Sequence, residues 1–458
     1  MERPDPSSAA RGPTAGGTLA QRRWWPWAAG VGVVWIAAVQ ATLWGLDRTG
    51  AARVLWGDEN TYLASALRLL AGDPRWSPEP LWPQLYPQFV AGFVALGHGS
   101  LFWLRLSQTA LLAITAVILF DLSRRWTGSR AAGWTAAWLT LGYPPLVAFS
   151  HYLWPEVLHL FLFVALLWLL SVRSDSFSRY AVAGVALGLA LLTKSLLLPF
   201  VPILALAVVW GRPLARTLRA LGLVVSVAVL TVTPTAIGNL HRTGRIGLGN
   251  SGAFNLWVGL NDVGRESFRH DVVWPEYQSW VASAAGDVER NRILRRKIRD
   301  LVRQRGLVEV VRNQLAKQYF RLFDPGCYLT DQLPGGAADV QSDAGYVELD
   351  PRTARLVRGL SSVSVLFVLI AGTVGLVVGR YHRRRWLRVL ILFVAYNLAL
   401  FLWLHVKTRY RIQMLPAAFV GVGGLVAWVE AGWRPRPSAV RIGVAMASVA
   451  LVVWFALG

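Results

Sequence analysis

A single cysteine, Cys327, stands in 458 residues, so no disulfide can form within the chain. With no base evident beside it, Cys327 reads as an inert thiol. Charge is sparse as well: Asp, Glu, Lys and Arg together make up 16% of the residues, against about 25% in an average soluble domain. Acid is scarcer than base, 25 carboxylates against 47 Lys and Arg, for a net charge of +22. Such an excess can signal nucleic acid, but here the basic residues fall in short clusters between apolar runs. That is how topology signals are arranged, and it argues against nucleic acid as a partner. A cleavable secretory signal is not visible either, because the apolar run after "QRRWW" lacks a small-residue cleavage site and is long enough to remain in the membrane.

Apolar sequence is abundant, with 54% hydrophobic residues and 23 Trp. It is gathered into runs, most of them long enough to cross roughly 30 Å of hydrocarbon. The reading is an all-α polytopic membrane protein with eleven spans, at 24–46, 101–120, 131–148, 154–171, 179–194, 196–210, 217–237, 359–379, 386–404, 413–429 and 439–457. Residues 85–96, "LYPQFVAGFVAL", would reach only about 18 Å as a helix, so a re-entrant or interfacial segment is expected there. Residues 1–23, rich in Pro, Gly, Ser and Arg, read as a disordered cytoplasmic tail. The division expected is an N-terminal membrane module at 24–237 carrying a first outer loop at 47–100, an extracytoplasmic loop domain at 238–358, and a C-terminal membrane module at 359–458.

With the amino terminus inside, the connections "SRRWTGSR", "SVRSDSFSR", "GRPLARTLR", "GRYHRRRWLR" and "WRPRPSAVR" all fall on the inner side, as basic loops should. The outer side then holds 47–100, the 149–153 turn, 238–358 and "HVKTRYR". In the long outer loop, "LGNSGAFNLWVGLND" has strand and turn character. A helix over about 288–323, with Ile293, Ile298, Leu301, Leu307, Val311 and Leu315 among arginines, reads as interfacial. No internal repeat is evident, which weakens a transporter built from inverted repeats.

On that outer side, "VLWGDENTYLASALRLL" places Asp58 and Glu59 at the start of an amphipathic helix. Helix capping alone would account for an acidic pair there. The same pair could also serve chemistry, since a carboxylate fixed at a helix start is well placed to take a proton. Lys407, Arg409 and Arg411 of "HVKTRYRIQ" lie outside, where cations are disfavoured, and so read as either a phosphate site or headgroup anchors. Lys194 ends a span on the same side with the same two readings. Glu156 begins a span, where an unpaired carboxylate is costly. His159 follows it at i+3, a spacing that is weak evidence for a metal.

Taken in order, the acidic pair after the first span, the amphipathic helix with Tyr62, the Tyr-Pro segment at 86–87, "GVALGLALLTKSLLLPFVP", "GNSGAFNLWVGLND" and "TRYRIQMLP" resemble the GT-C glycosyltransferases. The branch most similar holds the protein O-mannosyltransferases and the aminoarabinose transferases of lipid A, and the resemblance runs from about residue 25 to the end. It implies a GT-C fold and transfer of a hexose or pentose, usually with inversion, from a polyprenyl-phosphate donor. The acceptor would be a glycolipid, polysaccharide or protein at the outer face. Asp58 would be the general base, with Glu59 and Glu156 in the catalytic group; Arg409, Arg411, Lys407, Lys194 and Tyr62 would hold the donor phosphate. Asn250, Asn255 and Asn261 would bind sugar or acceptor hydroxyls, although turn residues are the commoner use of Asn.

Some members of the family carry a Glu-Lys pair before the Tyr-Pro segment, where this chain has Leu81 and Trp82. No cofactor is therefore certain; a divalent metal held by Asp58, Glu156, His151 and His270 is left open. The expected location is a bacterial cytoplasmic membrane with the site facing the periplasm, among membrane lipids as partners. Two rivals are an outer-face polymerase or ligase using a pyrophosphate-linked donor, and a flippase or transporter of lipid-linked sugars.

Overall fold

A computed structural model describes residues 30–39, 41, 53–73, 82–171, 176–209, 214–243, 246–249, 251–261, 275, 278–279, 287–382, 384–434 and 436–457. Within these residues the chain is helical, and one isolated antiparallel bridge joins Val54 to Gly345. The helices are α1 Gly30–Val39, α2 Asp58–Leu70, α3 Leu85–Leu96, α4 Phe102–Thr127, α5 Arg130–Gly142, α6 Pro144–Phe149, α7 Glu156–Ser171 and α8 Phe177–Thr193. After a 3-10 turn at Ser195–Phe200 come α9 Val201–Val209, α10 Leu214–Thr243, α11 Gly252–Asn261, α12 Asp287–Arg305, α13 Leu307–Leu315 and α14 Gln318–Phe323. The remainder is α15 Tyr328–Asp331, α16 Ala337–Ser342, α17 Pro351–Val378, α18 Arg384–Trp403, a 3-10 turn at Thr408–Met414, α19 Leu415–Glu430 and α20 Ala439–Leu457.

The expected spans each contain helix among the described residues, although of 24–46 only 30–39 and 41 are described. Six helices are long and apolar enough to cross a membrane: Phe102–Thr127, Thr217–His241, Pro351–Val378, Arg385–Trp403, Thr408–Glu430 and Ala439–Leu457. Shorter apolar helices occupy Gly30–Val39, Leu85–Leu96, Glu156–Ser171, Phe177–Thr193 and Ser195–Leu206. The expected 131–148 span is divided into α5 and α6 at Tyr143, which is extended because the residue before a proline, here Pro144, avoids the helical region. The core forms where α17 packs along α19, α8 along α10, and α4 against both α5 and α7. Its largest fully buried side chains include Trp126, Phe163, Phe393 and Phe419.

Segment 85–96 is a helix of 12 residues, as expected. It is wedged against α2 and α4 by Tyr86, Val90, Ala91 and Val94, all buried. Just before it, the buried Gln84 donates to Asn239 at 3.0 Å, tying the segment to the far end of α10.

Two expectations fail in the outer loop. The stretch 252–261, read as strand and turn, is a helix, since Phe254, Trp257 and Val258 stand at i, i+3 and i+4 and bury one face. The single helix expected over 288–323 is broken into three. Gly306 takes φ +77, a left-handed value that no interior helical residue adopts, and a second break falls at Lys317 with φ −128. The described part of the loop domain is therefore helical rather than mixed.

At one end of the bundle, Asp121 near the close of α4 accepts from Arg124 at 2.8 Å and Arg125 at 2.6 Å, and from the Trp168 indole at 2.9 Å. Ser129 caps α5 and also donates to Glu430 at the end of α19. These residues belong to the connections read as inner. The residues read as outer gather at the other end.

Candidate functional site

The first helix of the site, α2, starts sharply. Gly57 precedes it at φ +62, and a Cβ there would meet only the Tyr328 hydroxyl, at 3.8 Å. That turn sets two adjacent carboxylates, Asp58 and Glu59, on different sides of the first helical turn, and their surroundings differ completely.

Glu59 is fully buried. Its two oxygens accept from the two terminal nitrogens of Arg53 at 2.6 Å each. They also accept from the backbone N–H of Trp56 at 2.9 Å and of Leu153 at 2.8 Å. Four acceptor positions are thus filled, which leaves Glu59 no capacity for a sugar hydroxyl. Its expected catalytic role gives way to a structural one. Arg53 extends the latch: it donates to Gln332 at 2.6 Å and stacks over Tyr152 at 4.3 Å. Burial works against its charge, yet the hydrogen bonds and charge of Glu59 hold Arg53 protonated beyond the ordinary arginine range. The Val54–Gly345 bridge and a Tyr346 N–H to Gln332 bond of 2.7 Å complete the tie between the start of α2 and residues 328–346.

Asp58 faces the other way, with 33% of its side chain exposed. Its Oδ2 accepts from Arg409 at 3.2 Å. Arg409, itself buried, sits over the Trp154 ring with its Cζ 3.7 Å from the ring centre, and Tyr410 lies at 5.4 Å and Tyr328 at 5.8 Å. A guanidinium clamped among aromatic faces is held by cation–π attraction and keeps its charge without full hydration. The Nη1 and Nε of Arg409 are buried and make no hydrogen bond among the described residues, so two cationic donors lack an acceptor.

Glu156, at the first turn of α7, accepts from Lys194 at 2.9 Å and stands 4.0 Å from Arg409 Nε. Its second oxygen is buried and makes no hydrogen bond among the described residues. Lys194 reaches it because α8 ends there, and Pro199 in the following 3-10 turn redirects the chain. The result is two carboxylates and two cations in one cluster. Tyr62 lies beneath it as part of an aromatic floor, 5.0 Å from Tyr86, 6.0 Å from Trp154 and 6.4 Å from Trp82. Its ring is buried, so its contribution is packing under the site.

Other expected site residues lie elsewhere. Arg411 is buried and donates to the backbone carbonyls of Leu322, Asp324 and Gly326; its planar fork closes the 322–326 turn rather than facing Asp58. Lys407 is half-buried, and its charge acts on Asp331. Asp331 is an acid that burial, reinforced by Asp324, raises to about 7 against the pull of Lys407, Arg411 and Arg358. The backbone carbonyl of Asn255 accepts from the His405 N–H at 2.9 Å, and the Asn261 side-chain amide donates to the Trp257 carbonyl at 3.0 Å within α11. Asn250 and His270 lie outside the described residues. His151 is buried and its ring nitrogens make no hydrogen bond among the described residues; burial, then Arg105 and Arg53, lower it to about 3, so it is neutral at any physiological pH. Among the described residues no three His, Cys, Asp or Glu side chains form a metal-holding group.

Sequence reasoning overlooked Arg53, Trp154, Tyr328 and Gln332. Arg53 left one usable trace, a cation on the outer side five residues before an acidic pair. The aromatics left none, since any of 23 Trp could have been the ring beneath Arg409.

Residues 82–237 match the family model described as dolichyl-phosphate-mannose-protein mannosyltransferase, so the resemblance to the GT-C glycosyltransferases is borne out over that stretch. No curated protein matches the chain in sequence. Among solved structures it is similar to the archaeal oligosaccharyltransferase AglB from Archaeoglobus fulgidus, in complex with an inhibitory peptide and a dolichol-phosphate. That likeness has 14% identity and a TM-score of 0.48, over 94% of this chain and 55% of that one; the chain thus spans about half the length of AglB. It is also similar to ArnT from Cupriavidus metallidurans bound to undecaprenyl phosphate, with 16% identity and a TM-score of 0.40 over 89% and 78% of the two chains. For the apo state of ArnT the values are 18% identity and 0.37 over 87% and 78%.

Proposed function

We propose that this chain is an integral-membrane glycosyltransferase. It would move one sugar from a polyprenyl-phosphate carrier to an acceptor hydroxyl or amine at the membrane face where Asp58 and Arg409 meet. The observation that carries this reading is their contact at 3.2 Å across 351 residues of sequence, with Glu156 and Lys194 in the same cluster. The family match over residues 82–237 supports it, because that stretch supplies Glu156, Lys194 and the aromatic floor around Tyr86 and Trp154.

Sugar transfer from such a carrier makes two demands. The attacking group must lose a proton as its bond to the sugar forms, and the departing phosphate gains negative charge at membrane depth. Asp58 is the accessible carboxylate; only its Oδ2 is engaged among the described residues, so its other oxygen is available to the acceptor. Arg409 holds Asp58 in place on one edge, and its buried Nη1 and Nε lack the acceptor that the carrier phosphate would supply. Lys194 adds a second cation 2.9 Å from Glu156, and Glu156 balances the two positive groups when no phosphate is present. Direct displacement, with the acceptor attacking opposite the departing phosphate, would give inversion at the sugar carbon.

The residues present favour no divalent ion over this pair of cations. Arg409 and Lys194 already supply the positive charge that a metal would bring to the leaving phosphate. Glu59, the additional carboxylate nearest the site, is consumed by Arg53.

Asp58→Asn in purified protein should lower turnover of labelled polyprenyl-monophosphate sugars by about 10²–10⁴-fold. Arg409→Lys should preserve charge but lose the guanidinium's contact over Trp154, and so fall between wild type and Arg409→Ala. Unchanged turnover in Asp58→Asn refutes the base. Turnover of pyrophosphate-linked donors alone would replace the monophosphate reading with that of a polymerase or ligase.

A further inference from the structure

Helix α12 carries eight of the eighteen Lys and Arg residues in the outer loop, and five of those eight lie on one side. Its inward face, Arg290, Asn291 and Leu294, is buried, with Ile298 and Leu301 half-buried; Leu294 and Ile298 pack on Trp257 and Val258 of α11. Its outward face is Arg292, Arg295, Arg296, Arg299 and Arg303, all exposed. At 3.6 residues per turn these five guanidiniums fall within an arc of about 100°, directly opposite Leu294. None of the five makes an ion pair among the described residues, and Asp300 is the acid that flanks them in the middle of the helix.

The helix that follows shows where this stripe sits. Gln314 of α13 donates to the Leu402 and Trp403 carbonyls at 3.1 and 3.4 Å, which are the last-turn carbonyls of the membrane-spanning α18. So α13 lies against the end of a helix long and apolar enough to cross a membrane, and the end of such a helix is where lipid headgroups would be met. Yet it leaves apolar side chains uncovered: Leu307 is 61% exposed, Val308 84% and Leu315 41%. Val308, Val311 and Leu315 recur at i, i+3 and i+7 and so form one edge. An uncovered apolar edge at that end, joined through the Gly306 turn to a row of arginines, has the two properties of a helix that lies in a membrane surface.

We infer that α12 and α13 form an anionic-phospholipid docking surface, with the α13 edge in the interface and the α12 stripe on lipid phosphates. Arginine suits this ligand because its fork meets phosphate oxygens in pairs. The assignment does not rest on the sugar-transfer reaction and can be tested without a substrate.

The lone thiol, Cys327, is 3% exposed, so Val308→Cys introduces a selectively labelled position. The full chain carrying an environment-sensitive dye at 308 would be placed in nanodiscs of phosphatidylcholine with increasing phosphatidylglycerol and headgroup spin-labelled lipid as quencher. Quenching should rise with phosphatidylglycerol and weaken in high salt. Arg292→Gln with Arg296→Gln and Arg299→Gln should raise the phosphatidylglycerol needed, each arginine being worth roughly fivefold in affinity. Equal quenching in neutral and anionic nanodiscs overturns the proposal, as does a triple variant that behaves like wild type. So would soluble polyphosphate shielding the dye in neutral nanodiscs as strongly as anionic lipid does. The salt series on unsubstituted arginines keeps the test valid if the triple variant folds poorly.

Discussion

The two ends of this helical bundle both pair arginine with carboxylate, but over very different distances in sequence. Around Asp121 the partners are Arg124 and Arg125, one helical turn away, with exposures of 23% and 33%. Around Asp58 and Glu59 the contacts come from Arg409 at 351 residues, Leu153 at 94, and Arg53, whose other hand reaches Gln332 at 279. The first arrangement is a helix end decorated by its own last turn. The second assembles only when several helices and the 328–346 segment arrive together. Arg53 and Glu59 are both buried, so removing one partner strands the other in low dielectric. The arginines on Asp121 are a quarter to a third exposed, and Asp121, itself buried, keeps a second arginine and the Trp168 indole when either is removed.

That contrast can be broken at several points. The largest effect should follow Arg53→Ala, which leaves the Glu59 carboxylate buried and unpaired: a loss of about 3–5 kcal/mol in unfolding stability, measured in detergent by chemical denaturation. Arg53→Ala paired with Glu59→Gln should recover a large part of the loss, and no recovery would mean that the latch is not an ion pair in function. Next is the comparison of two neighbouring arginines. Arg409→Ala should weaken binding of polyprenyl phosphate by about 1.5–3 kcal/mol, the value of charged hydrogen bonds. Arg411→Ala should leave carrier affinity near wild type and instead loosen the turn at 322–326, seen as faster proteolysis there. Equal loss of carrier affinity in both would erase the distinction drawn from their contacts. At the opposite end, Arg125→Gln should cost no more than about 1 kcal/mol, diminishing with salt.

A smaller and slower signal belongs to Asp331. Its folded pKa stands near 7, above the ordinary aspartate value, so between about 4 and 7 the folded chain holds a proton that the unfolded chain has released. Stability from this group is therefore present at low pH and declines as pH rises through that window. Asp331→Asn should flatten the decline between pH 5 and 7.5 in thermal melts; an unchanged slope would assign it to another group.

Much of the site was legible beforehand, in a particular way. Sidedness of the loops placed Asp58, Glu156, Lys194 and Arg409 on one face, and all four meet. Roles within that set were not legible. Asp58 and Glu59 are neighbours of the same chemistry, yet one is a third exposed and the other wholly consumed by Arg53 and two backbone N–H groups. Arg409 and Arg411 are two apart in a 3-10 turn, which points one at Trp154 and the other at the 322–326 carbonyls. The Gly- and Asn-rich appearance of 247–261 concealed a helix, since its i, i+3, i+4 apolar spacing is short and flanked by turn residues.

Length and apolarity of its runs, by themselves, made this a bundle of membrane helices, because a backbone in hydrocarbon has to satisfy its own hydrogen bonds and does so as helix. Clustering of arginines settled which connections share a side, since charge resists crossing. Which carboxylate stays open and which is locked, and which guanidinium meets an anion, were decided only by tertiary packing. Those outcomes depend on burial and on partners up to 351 residues away, and local spacing carries no record of either.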